Sequence, residues 1–146
     1  MVALLTVLFA SLYVTEGTEC PQLGVPLNNQ ISYFAKKNEG WNVTVDCKLV
    51  EEAALLAHRI LLGKSLTVST TWCVYKGLSF DLFDIASAFT PNHMINMLPW
   101  DRIEKTAKLH QPTTYGCAYL FDQRFLSKYW ASVCLYKMKK GVNECK

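Results

Sequence analysis

Two runs near the C-terminal end, Tyr115 to Phe121 and Trp130 to Met138, are apolar on both faces that a strand would present. Side chains of an extended chain alternate between faces. On the first run Cys117, Tyr119 and Phe121 therefore oppose Ala118 and Leu120. On the second, Trp130, Cys134 and Tyr136 oppose Ala131, Val133 and Leu135. A sheet with no solvated face needs cover above and below. The expected fold class is α+β, a disulfide-stabilised three-layer α–β–α sandwich. The two runs are joined by "DQRFLSK", which is long for a tight turn and reads as a loop.

The helices for those covers are legible upstream. In "DCKLVEEAALLAHRILLG", Leu49, Ala53, Leu56 and Ile60 recur at helical spacing, while Glu51, Glu52, His58 and Arg59 share a polar face. Asp46 is placed to cap the start and Gly63 to stop the end. "NNQISYFAKKNEG" predicts a short helix ending at Gly40, and "WDRIEKTAKLH" a helix ending before Pro112. "SLTVSTTWCVY" reads as a strand, and "SFDLFDIASAF" as a short helix before Pro91.

The chain opens with "MVALLTVLFASLYVTEG". Its apolar run from Val2 to Val14 has the length of a signal-peptide core and is too short to span a bilayer. No Lys or Arg precedes that run. The expectation is a signal peptide over residues 1–17 and one domain over 18–146, secreted to the extracellular space. Six cysteines follow the signal: Cys20, Cys47, Cys73, Cys117, Cys134 and Cys145. An even count in an exported chain implies three disulfides, with about fifteen pairings open. The sequon Asn42-Val43-Thr44 fits the same route and marks Asn42 for glycosylation.

Function classes narrow by what the letters offer. A net charge of +3 is too small for a nucleic-acid footprint. No GxSxG, HExxH, P-loop or GxGxxG occurs, and Glu51 and Glu52 sit together on a solvated helix face. The reading is therefore not an enzyme, with no catalytic residues and no cofactor. The three histidines, His58, His93 and His110, are scattered, where a zinc site needs at least three ligands together. No metal is expected. Binding has more to recommend it. "RFLSKYW" mixes basic and aromatic residues at the bend between the last two runs. Arg124, Phe125, Lys128 and Tyr129 are the candidate partner contact. Most of the other aromatics, Trp41, Trp72 and Trp100 among them, read as core.

Several motifs, taken in order, resemble the CAP superfamily, in particular its nematode activation-associated or venom-allergen-like secreted branch. They are the opening Cys20-Pro21, "VDCKLVEEAALLA" around Cys47, "HMINMLPW", "YGCAY" at Cys117, "SVCLY" at Cys134 and the closing "GVNEC". The resemblance covers residues 45 to 137 best. It departs from the family in length and in the cavity. Of the family's two His and two Glu only His93 has a counterpart, Asn96 stands for a Gln, and the "HNxxR" pattern is missing.

The resemblance implies an α–β–α fold and a bond from the "GC" cysteine to the "VC" cysteine, Cys117–Cys134. With that pair assigned, Cys47–Cys73 and Cys20–Cys145 are the remaining expectations. It also implies an effector or immunomodulator that acts by binding a host or extracellular protein. The alternatives are a secreted carrier of sterol or fatty acid, or an unrelated disulfide-rich inhibitor of a protease or receptor.

Overall fold

A computed structural model describes residues 20–65, 72–81, 91–124 and 127–138. The expected signal segment, Phe125 and Cys145 lie outside the described residues. So do residues 66–71 and 82–90 of the expected strand and short helix. A short 3-10 turn, Pro21–Leu23, leads into α1, Val25–Lys37. Then follow β1 (Thr44–Val45), α2 (Cys47–Leu61), β2 (Trp72–Asp81), α3 (Pro91–Asn96), α4 (Trp100–His110), β3 (Thr114–Arg124) and β4 (Ser127–Lys137).

The fold is α+β. Its four strands lie in the order β1-β3-β4-β2. β4 runs antiparallel to both neighbours, and β1 pairs parallel with β3 through Thr44↔Thr114 and Val45↔Tyr115. The register Arg124↔Ser127 leaves only residues 125 and 126 between β3 and β4. The long loop expected over "DQRFLSK" is thus a two-residue connection. Its polar residues continue the ladder, because strand alternation persists past Phe121 and a two-residue loop suits the twist of antiparallel strands. β2 likewise runs on to Asp81, so the start of the helix expected in "SFDLFDIASAF" is strand.

Alternation sorts the sheet as the letters promise. Ala118, Ala131, Val133 and Leu135 pack with Leu49, Ala53, Leu56, Ala57 and Leu61 of α2. On the other face Cys73, Tyr75, Tyr115, Cys117, Cys134 and Tyr136 pack with Phe34 of α1, Ile95 of α3 and Ile103 of α4. Helical side chains therefore cover both faces, an arrangement compatible with the three-layer sandwich.

α2 sits very close to the sheet. Its start is fixed where the Asp46 carboxylate accepts the Lys48 N–H at 2.9 Å. A Cβ on Gly116 would lie 2.2 Å from the Leu49 carbonyl carbon and the Val50 nitrogen. Only glycine leaves room for that backbone. Ala118 and Ala131 below, with Ala53 and Ala57 above, are fully buried and extend the small-on-small contact. The opposite face has its own tight point, where a Cβ on Gly77 would meet the Met97 carbonyl oxygen at 2.5 Å.

The edge of β3 is finished by a side chain. β1 supplies only two residues before the chain turns into α2, its last contact being the Asp46 N–H to the Tyr115 carbonyl at 2.8 Å. Two rows further on, Gln30 of α1 takes over. Its amide donates to the Tyr119 carbonyl at 3.0 Å and accepts the Tyr119 N–H at 2.9 Å. Tyr115 and Tyr119 thus aim their backbone groups away from β4, and by the same alternation so does Cys117. The Cys117↔Cys134 pair is the close, non-hydrogen-bonded kind, and its Cα atoms are 4.1 Å apart. A disulfide joins them.

The second bridge is a correction. Cys47 is bonded to Cys20, with Cα atoms 5.5 Å apart, which overturns both Cys47–Cys73 and Cys20–Cys145. Cys47 opens α2 on one face of the sheet, whereas Cys73 points into the other face from the far edge strand. The sheet stands between them. Cys20 is held near Cys47 by Asn28, which accepts the Cys20 N–H at 2.7 Å and donates to its carbonyl at 2.8 Å. Cys73 is also bridged.

A non-reducing peptide map is expected to link Cys20 to Cys47 and Cys117 to Cys134. By count Cys145 is then left for Cys73, and any other pairing of Cys20 refutes the arrangement. Gly116→Ala should destabilise the fold by about 3 kcal/mol, read as a lower urea midpoint, because the added methyl meets helix backbone that cannot step aside. A loss below about 0.5 kcal/mol would mean that α2 is not seated on that glycine.

Candidate functional site

The residues expected to meet a partner are only partly together on one surface. Arg124 ends β3, while Lys128 and Tyr129 are residues of β4, the central strand, not of a loop. Lys128 lies level with Gln123 and Asp81, and Tyr129 level with Asp122 and Phe80. Both are half-buried, and Tyr129 packs against the cluster around α2. The ladder that replaced the loop is the reason.

What the sequence missed is one row away. Phe121 of β3 is 65% exposed and Leu78 of β2 is 60% exposed. Phe121 has the same parity as the buried Cys117, so alternation alone places it in the core. It stands one row beyond Tyr119, the side chain that meets Phe34 of α1. Lys128 shares the face of Phe121, while Leu78, level with Ala131 and Leu120, lies on the opposite face with Asp122 and Tyr129.

A second feature lies at the other end of the sheet. A groove of about 570 Å³ runs between the turn after α1 and the end of α4, lined by Trp41, Asn42, Lys108, Gln111 and Thr113 among others. Asn42 and Gln111 both adopt left-handed backbone, at φ 56° and 46°. Trp41 lies 6.3 Å from Trp100 between ring centroids, and the Lys37 ammonium sits 5.7 Å over the Trp100 ring. Asn42 is exposed at the groove's rim. A smaller groove, about 340 Å³, follows the outer side of α2 past Leu55, His58, Arg59 and Leu62.

His93 is exposed on α3 and His58 on α2, while His110 ends α4 half-buried. Among the described residues no three His, Cys, Asp or Glu come together. Nor is any described helix long and apolar enough to cross a membrane. The buried hydroxyls serve the fold. Tyr136 donates to the Asn38 amide oxygen at 2.6 Å, Ser132 to the Met94 carbonyl at 2.8 Å, and Tyr75 shares a hydrogen bond with Thr106. Tyr115 stacks on Tyr136, and Tyr75 meets that ring edge-on.

Comparison with protein-family models, with curated proteins and with solved structures finds no match.

The tyrosine cluster makes the fold alkali-sensitive. Burial pushes the Tyr115 phenol from 10.0 up to about 12. Tyr136 is raised as well, by burial first and by the neighbouring Tyr115, against the lowering pull of its Asn38 hydrogen bond. A phenol with a raised pKa holds its proton more tightly folded than unfolded. Its contribution is whole below pH 10, the unfolded value, and is lost as pH climbs towards about 12. The urea midpoint is therefore expected to fall steadily from pH 10 upward. Tyr136→Phe should flatten that fall while costing about 1.5 kcal/mol at neutral pH, since it strands the Asn38 oxygen. An unchanged alkaline slope would refute the assignment.

Proposed function

We propose that the chain is an exported, CAP-like binding protein that engages an extracellular or host protein through the hairpin end of its sheet, without chemistry of its own. The observation that carries the contact is the exposure of Phe121, a large apolar side chain on the sheet face that buries Cys117 and Tyr115. An apolar centre with charge beside it, here Lys128 on the same face, is the usual build of a protein contact. Export is supported by the apolar run at residues 2–14 and by bridged cysteines, which an oxidising compartment permits. The CAP-like reading draws support from the bond between the "GC" and "VC" cysteines and from helices on both faces of the sheet.

A carrier of sterol or fatty acid would instead need a large apolar pocket. Among the described residues the larger groove is open and lined by amides, a hydroxyl and an ammonium besides its tryptophan.

The test uses the full chain, expressed with its own first residues in a secreting eukaryotic cell. It should reach the medium beginning at Thr18, with a mass reduced by the hydrogens of three disulfides. A photo-reactive phenylalanine analogue at position 121 should then cross-link to an extracellular protein from the source tissue. Unlabelled wild-type protein should compete with that cross-link at least tenfold better than Phe121→Asp. The substitution is at an exposed site and should move stability by no more than about 0.5 kcal/mol. Equal competition by the variant, or a stoichiometric lipid removed by organic extraction in native mass spectrometry, would overturn the reading.

A further inference from the structure

Asn42 stands where three independent features meet. It opens the sequon Asn42-Val43-Thr44, it is exposed in a left-handed turn, and its side chain is part of the wall of the Trp41 groove. We infer that Asn42 carries an N-linked glycan whose first N-acetylhexosamine lies back in that groove, against Trp41. The inference rests on the export reading above, since the sugar is added only along that route.

The attachment balances simply. The Asn42 amide nitrogen forms a bond to C1 of a lipid-diphosphate-linked oligosaccharide and gives up one proton. The C1–oxygen bond breaks, and its electron pair leaves with the lipid diphosphate. Attachment occurs on the emerging chain, so the finished fold must leave room for a sugar at that nitrogen. It does, because Asn42 and Thr44 are both exposed while their neighbours Val43 and Val45 pack towards the core.

The direction of the sugar follows from the turn. Gly40 at φ 85° and Asn42 at φ 56° reverse the chain between α1 and β1. β1 is then pinned by the Thr44 N–H to the Thr113 carbonyl at 3.3 Å. Asn42 thereby lines the same groove as the half-buried Trp41, Gln111 and Thr113. The apolar CH face of a pyranose packs well on an indole and removes apolar area from water. Its hydroxyl and acetamido groups can meet the Gln111 amide, the Thr113 hydroxyl and the Lys108 ammonium. Lys108 pairs with Glu104 at 2.9 Å on the surface of α4. A volume of about 570 Å³ is within the range of small-ligand sites. Gln111 takes left-handed backbone as the C-cap of α4, its N–H donating to the Ala107 carbonyl.

The closing experiment takes the secreted full chain through intact mass spectrometry before and after amidase release of N-glycans. Thr44→Ala, which removes the sequon and leaves Asn42 and the groove, serves as the unglycosylated control. Acrylamide quenching of tryptophan emission then reads the seat, with Trp41→Phe identifying the share that belongs to Trp41. The expected result is a glycan on wild type and none on Thr44→Ala. Quenching of Trp41 should be at least twofold weaker with the glycan than after its release or in Thr44→Ala. A secreted chain without glycan overturns the attachment and leaves the export reading standing. A glycosylated chain with unchanged Trp41 quenching overturns the groove seat. A chain that never leaves the cytosol overturns the export reading and the glycan together.

Discussion

The backbone at the start of α2 occupies the space that a side chain on Gly116 would need. From that contact the rest of the architecture follows. The helix lies low on β3 and β4, where Ala118 and Ala131 share its cluster with Ala53 and Ala57 beside the larger Val133 and Leu135. Bulk excluded there is gathered on the opposite face, where Tyr75, Tyr115, Tyr136 and Phe34 build the thicker half of the core. The large rings carry hydroxyls inward, so that half also needs the hydrogen bonds from Asn38 and Thr106. Each face thus has one glycine on which a neighbouring backbone is seated, Gly116 under α2 and Gly77 under Met97.

The parts readable from the letters are those governed by local period. α2 could be read because Leu49, Ala53 and Leu56 repeat at helical spacing behind a capping Asp46. The two faces of β3 and β4 could be read because alternation is exact in "GCAYLF" and "WASVCLY". What escaped depends on where separate pieces meet. Cys47 and Cys73 look like natural partners along the chain, but an intervening sheet forbids the bond, and only the faces reveal it. Phe121 obeys the core parity yet is exposed, which depends on what packs over it and not on any pattern in the strand. Gln30, an amide in a short helix, gives no sign in sequence that it completes a strand edge. The Asn42 sequon was legible at once; that it borders a groove was not.

The two ends of the sheet are therefore unlike. At the β1 end the turn after α1 folds over, and a polar, aromatic groove is built around residues held in left-handed backbone. At the hairpin end Phe121 on one face and Leu78 on the other are exposed. On the readings proposed above, the first end is dressed by the chain's own sugar and the second is left for a partner, so the two would not compete.

Gln30 has a wider significance than one pair of hydrogen bonds. β1 stops after two residues, and beyond it the outer edge of β3 turns its peptide groups away from β4. Bare strand edges of that kind recruit other chains and start the growth of aggregates. The carboxamide, shaped like a peptide unit, occupies the vacant rung at Tyr119 and interrupts the template just where the backbone strand gives out. A single side chain thereby acts as a doorstop at that rung, denying its two peptide groups to an incoming strand.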